Sequence, residues 1–93
     1  MVSSFAPFNL DIYTPIGVVV KQFSADSLII PTGAGQINIL PGHVHLMTIL
    51  RPGIMIVRQG EKNYHYTVTT GICRILKDQV LILSKVSEKF MED

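Results

Sequence analysis

The sequence predicts an all-β fold, a sandwich or a barrel, and three observations carry that prediction. Gly and Pro punctuate the chain at Pro7, Pro15, Gly17, Pro31, Gly33, Gly35, Pro41, Gly42, Pro52, Gly53, Gly60 and Gly71, so no typical helix fits before residue 72. Phe8, Leu10 and Ile12 alternate with Asn9, Asp11 and Tyr13, and the pattern recurs at Leu28 and Ile30, at Ile37 and Ile39, and at Tyr64, Tyr66 and Val68. Period two belongs to half-buried strands. Ile54 to Val57 and Val80 to Leu83 are instead continuously apolar, as where both faces of a strand are covered, and one such face is open to a partner.

Taken in order, the predicted strands lie near residues 8–14, 17–23, 27–31, 36–40, 44–50, 53–59, 63–69, 71–76 and 79–84. The first two are joined through Thr14-Pro15-Ile16-Gly17, where Pro presets φ near −65° and Gly accommodates a left-handed residue. The polar loop from Arg58 to Lys62 separates the next clear hairpin, and Lys77-Asp78 links the last two strands. Meandering antiparallel connectivity follows. After Leu83, Val86, Phe90 and Met91 are spaced for one face of a helix of one or two turns, with Ser84 or Ser87 as its cap.

Ninety-three residues make one domain, whose folding buries roughly 64% of the unfolded chain's surface, so a large internal substrate cavity is not expected. Charged residues are only 16% of the chain, against about 25% in an ordinary soluble domain. Four of the fifteen charges, Asp11, Lys21, Asp26 and Arg51, precede Arg58, which points to a front half that faces core or another protein. No apolar run reaches the roughly 18 residues of a spanning helix. A net charge of +1 without a basic cluster argues against nucleic acid as a partner. The solitary Cys73 has no disulfide partner within the chain, and the start lacks a signal peptide's pattern, so the chain reads as cytoplasmic.

Catalytic chemistry finds no constellation. His43 and His45 would share a strand face, but a zinc site needs a third and usually a fourth ligand, and His65 falls on another predicted strand. Cys73 sits in Gly-Ile-Cys-Arg-Ile, a strand context in which a packed thiol is ordinary. Gly33-Ala34-Gly35 is not followed by Lys-Ser or Lys-Thr and so does not make a phosphate loop. The carboxylates are scattered. Neither a catalytic, a metal nor a cofactor site is expected, and a small β domain with tight loops and few charges suits an adaptor working by surface contact.

Two blocks, FNLDIYTPIG from Phe8 to Gly17 and PTGAGQINILPGH from Pro31 to His43, closely resemble the N-terminal domain of the ε subunit of F-type ATP synthases, whose mitochondrial counterpart is called δ. Leu50-Arg51-Pro52-Gly53, Val68-Thr69-Thr70-Gly71 and Asp78-Gln79-Val80-Leu81-Ile82-Leu83 continue the likeness in order, over about residues 5 to 86. The resemblance implies a flattened antiparallel β-sandwich of about ten strands over residues 1–86, with at most a short helical stub over 87–93. It implies a non-catalytic rotor subunit at the foot of the central stalk, clasped to γ and resting on the c ring. That places it, through the complex, on the cytoplasmic face of the bacterial inner membrane. A free-standing β-sandwich adaptor of another assembly is the alternative.

Carried over by position, Thr32, Gly33, Ala34, Gly35, Gln36, Gly42 and His43 face the c ring, and Thr14, Met47 and Thr48 face γ. The sequence departs from the family's usual pattern at Gln36, His45, Thr70 and Ile72. The family's C-terminal helical hairpin, which carries inhibitory contacts and in some bacteria an ATP site, would begin near Lys85, so neither property is expected of these 93 residues.

Overall fold

The computed structural model of the chain describes residues 7–42 and 45–92, the last six by their backbone. Among the described residues every element is a strand: β1 (Phe8–Thr14), β2 (Gly17–Ala25), β3 (Ser27–Thr32), β4 (Gly35–Ile39), β5 (Leu46–Leu50), β6 (Gly53–Gln59), β7 (Lys62–Val68), β8 (Gly71–Leu76), β9 (Gln79–Leu83) and β10 (Val86–Glu92). The expected strands are all present, with bounds that move by two residues at most.

Hydrogen-bonded neighbours run in the order β10-β7-β6-β3-β5-β8-β9-β1-β2, with β4 paired to the other side of β3. The run narrows at one place, where β3 meets β5 through the single pair Thr32 and Leu50. On one side of that hinge lies a sheet of β2, β1, β9, β8 and β5, here sheet I. On the other lies a sheet of β10, β7, β6, β3 and β4, here sheet II. Side chains from both meet in one core, with Leu10, Ile12, Cys73, Ile75, Val80 and Ile82 from sheet I against Leu28, Ile30, Ile39, Met55, Val57, Tyr66 and Val68 from sheet II. This is a β-sandwich.

Two expectations change. Antiparallel pairing is not universal, because β1 runs parallel to β9, from Asn9 opposite Gln79 to Tyr13 opposite Leu83. The long path from β1 to β9 makes that geometry available, whereas a hairpin would not. The stub expected as helix is strand instead: residues 86–92 lie antiparallel along β7, from Val86 opposite Val68 to Glu92 opposite Asn63. Seven residues nucleate a helix poorly in water, while the open edge of β7 offers a ready row of backbone partners.

Short connections fix the two ends of the sandwich. Residues 51–52, 69–70 and 84–85 cross between the sheets at one end, which also carries the β1–β2 and β3–β4 turns. The buried Ser84 hydroxyl fastens this end, donating to the Thr69 carbonyl at 3.1 Å, while the Thr69 amide donates to the Lys85 carbonyl at 3.2 Å. Gly71 allows the approach, because a Cβ there would run into the Leu83 carbonyl and lie 2.7 Å from the Ser84 Cβ. At the opposite end the Asp26 carboxylate accepts the Gly60 amide at 2.6 Å and the Gln59 amide group donates to the Ser24 carbonyl at 2.8 Å.

Candidate interaction surfaces

Alternation along the strands of sheet I sends one set of side chains into the core and leaves the other set on an outward face. On β8 the buried residues are Cys73 and Ile75, so Ile72, Arg74 and Leu76 point outward; on β5 the outward pair is Met47 and Ile49. Register then aligns these residues into rows. Ile49 stands opposite Ile72, Ile72 opposite Leu83, Leu83 opposite Tyr13, and Tyr13 opposite Val18, so one apolar row crosses all five strands. Ile49 is 63% exposed and Val18 54%, with Ile72 and Leu83 above 40%. An uninterrupted apolar row of this exposure is a candidate for a protein-facing surface.

The neighbouring row reads Met47, Arg74, Leu81 and Asp11. Met47 is 65% exposed. The Asp11 carboxylate accepts the Gln22 amide at 2.5 Å, holding the kink where β2 slips register against β1. At the end of the face, Tyr13, Thr14, Pro15, Thr69, Thr70, Leu83, Ser84 and Lys85 line a cleft of about 590 Å³.

The β3–β4 turn is built differently. The Thr32 hydroxyl donates to the Gly35 carbonyl at 2.6 Å and accepts the Ala34 amide at 3.2 Å, which draws the two turn residues into a tight bend. Gly35 has φ of 107°, a conformation that side-chain-bearing residues rarely adopt. Gly33, Ala34, Gly35 and Gln36 are exposed, and the Arg51 side chain lies alongside Gly33. The turn therefore offers an uncharged backbone knuckle with one guanidinium beside it.

The residues expected to form one c-ring contact are not together. Residues 32–36 sit at the crossover end, whereas Gly42 follows the far end of β4, at the opposite end of the sandwich; His43 lies outside the described residues. A five-residue strand separates the two groups by about 17 Å. The expected γ group also divides. Met47 points outward, but Thr48 faces inward opposite the buried Cys73, because adjacent strand residues take opposite faces. Thr14 is occupied in the β1–β2 turn, where its hydroxyl donates to the Gly17 carbonyl at 3.1 Å. Ile49, Leu83, Tyr13 and Val18 were not singled out from sequence as contact residues, and Ile72 was noted only as a departure from the family's pattern, although the apolar run from Val80 to Leu83 carried a signal for Leu83.

Cys73 is fully buried, and that burial pushes its thiol up to about 12, as suits a packed core thiol. Among the described residues, no group of three His, Cys, Asp or Glu side chains is arranged to hold a metal ion, and no helix is long and apolar enough to cross a membrane.

Residues 7–89 match the family described as the ATP synthase delta/epsilon chain, β-sandwich domain. The chain belongs to this family. Among ATP synthase ε relatives, the epsilon chain 2 of Syntrophotalea carbinolica is 33% identical over 80 residues, covering 86% of this chain and 57% of that one. The epsilon chain of Staphylococcus aureus is 30% identical over 84 residues, covering 90% of this chain and 63% of that one. The chain thus spans about three fifths of the length of these relatives.

The ε-type fold is also found in solved assemblies. A chain in the Euglena gracilis mitochondrial ATP synthase structure, which comprises OSCP, F1 and the c-ring, superposes with a TM-score of 0.83 at 25% identity, over 92% of this chain and 54% of that one. A chain from the Tetrahymena thermophila mitochondrial ATP synthase central stalk and c-ring superposes at 0.68 and 15% identity, over 95% of this chain and 69% of that one, a likeness of fold.

Proposed function

We propose that this chain is a non-catalytic rotor subunit of an F-type ATP synthase that docks the outward face of sheet I on γ and directs the β3–β4 turn at the c ring. The five-strand apolar row from Ile49 to Val18 carries the reading, because it supplies a face for a protein partner on the side of the sandwich while the turn projects from its end. Two surfaces in different directions suit a part held between two others. Met47 belongs to the γ surface on this reading. Thr14 borders it at the turn, and Thr48 supports it from beneath. Residues 32–36 form the c-ring contact, and Gly42, at the other end, does not share it.

The subunit's contribution is mechanical. Torque passes between ring and stalk only while their relative rotation costs more than the load, and a rigid sandwich wedged between them raises that cost through buried contact. No bond-making step by the subunit is needed. The site of action is then peripheral to the membrane, on the cytoplasmic face in a bacterium, through the assembled complex.

Titration of the purified chain against the γ subunit of the same complex tests the docking face. Ile72→Asp puts a carboxylate in the middle of the row and is expected to weaken binding about 100-fold, about 2.7 kcal/mol. Asn38→Asp adds the same group to the outward face of sheet II and is expected to leave affinity within about twofold. Equal losses from the two, or no binding of γ by the wild-type chain, would overturn the assignment and favour a free-standing adaptor.

A further inference from the structure

One charged group of the outward face of sheet I is set among apolar side chains. Arg74 stands on β8 between Met47 of β5 and Leu81 of β9, with Ile72 and Leu76 before and after it on its own strand. Cross-strand neighbours lie about 5 Å away and same-face neighbours along the strand about 7 Å away, so the guanidinium is ringed by apolar side chains on four sides. Arg74 is exposed, and among the described residues it has neither an ion-pair nor a hydrogen-bond partner. The acidic group of its own row, Asp11, lies two strands away on β1 and accepts the Gln22 amide. In the isolated chain the guanidinium is satisfied by water.

Docking removes that water. A guanidinium enclosed in an apolar contact without a counter-charge is strongly unfavourable, whereas one held by a carboxylate is tolerated and orients the two partners. We propose that Arg74 is the register-setting residue of the docking face and that the partner presents to it a carboxylate surrounded by apolar side chains. This rests on the reading of γ as the occupant of the face and adds the chemistry by which γ is recognised. The planar fork of the guanidinium suits a bidentate pair, which would fix the rotational setting of the sandwich where the surrounding aliphatic contacts permit sliding.

The experiment titrates the purified γ subunit with the full chain and four variants, each first checked for an unchanged thermal midpoint. Arg74→Leu keeps the bulk and removes the charge. With a carboxylate opposite, it strands that carboxylate and binding weakens about 30-fold; with none opposite, it matches its apolar neighbours and binds as tightly as wild type or more so. Arg74→Glu is expected to weaken binding about 100-fold or more, and Arg74→Lys to fall between wild type and Leu. Lys62→Glu, the same charge reversal on the exposed start of β7, is expected to stay within about twofold. Undiminished binding by Arg74→Leu overturns the proposal while leaving γ docking intact, and failure of the wild-type chain to bind γ overturns both. If Arg74→Glu fails to fold, the Leu and Lys variants decide.

Discussion

The two sheets of the sandwich are alike on their inner faces and unlike on their outer ones. Among the described side chains, six of the eleven exposed large apolar ones, Val18, Met47, Ile49, Ile72, Leu76 and Leu83, lie outward on sheet I, and Ile54 alone does so on sheet II. On sheet II the outward row instead runs from Asn38 through Ile29 and Ile56 to His65, with Gln36 and Arg58 nearby. Folding sets the inner pattern of both sheets equally. The outward pattern is free of that demand, so its asymmetry supports the proposed docking of sheet I.

The largest expected effect checks the shared half of this comparison. Leu28 of sheet II and Ile82 of sheet I are both fully buried in the common core. Truncating either to Ala is expected to lower unfolding free energy by about 2 to 5 kcal/mol, a large share of a small domain's stability, as urea titration would show. The outward substitutions Ile49→Ser and Ile54→Ser should each stay within about 0.5 kcal/mol. If Ile49→Ser cost as much as Ile82→Ala, the outward row would be part of the core and its reading as a docking face would fail.

Much of the inward half was legible because it is local. Alternation at Phe8, Leu10 and Ile12 marked β1, and the Pro and Gly positions bounded nearly every strand. What was not legible depends on partners distant in sequence. Nothing in residues 8–14 says that they will lie parallel to residues 79–83, and the spacing of Val86, Phe90 and Met91 fits a helix until β7 offers an edge. The candidate surfaces were partly readable for the same reason. The β3–β4 turn was visible as a glycine-rich segment, but grouping it with Gly42 ignored the strand between them. Grouping Met47 with Thr48 ignored alternation, and the row from Ile49 to Val18 exists only through the registers of four strand pairs.

A smaller effect sharpens the comparison of the inner faces through pH. Burial pushes the Cys73 thiol of sheet I from 9.0 to about 12, and burial together with the neighbouring Tyr64 raises the Tyr66 phenol of sheet II. Both groups hold their proton longer when folded than when unfolded. Stability is therefore unaffected by Cys73 below pH 9, and it falls as pH rises from 9 toward 12, because the unfolded chain then binds fewer protons. The loss from Cys73 approaches about 1.4 kcal/mol per pH unit within that window. Urea unfolding between pH 9 and 11 should show a shallower decline for Cys73→Ala than for wild type, with Tyr66→Phe removing a separate share at the upper end. Parallel pH curves for wild type and Cys73→Ala would mean that solvent reaches the thiol and that this part of sheet I is not sealed.

The smallest effect compares the two hairpins of the crossover end, one from each sheet. Both use a Thr hydroxyl that donates to a Gly carbonyl three residues on and accepts the amide between. In the β3–β4 turn the donated bond is 2.6 Å and Thr32 is 9% exposed; in the β1–β2 turn it is 3.1 Å and Thr14 is more accessible. A hydrogen bond shielded from water is costly to leave unmade, whereas water replaces one that is exposed. Thr32→Val is therefore expected to destabilise the chain by about 1 to 2 kcal/mol and Thr14→Val by about 0.5 kcal/mol or less, measured by urea unfolding at neutral pH. Thr32→Val should also loosen residues 33–36, read as faster amide exchange there than at residues 15–17 of Thr14→Val. A bend held this firmly is what a loaded contact with a turning ring requires, because a turn that deformed under load would dissipate torque. The opposite ranking of the two substitutions would place the rigid tip on the β1–β2 hairpin and move the proposed ring contact there.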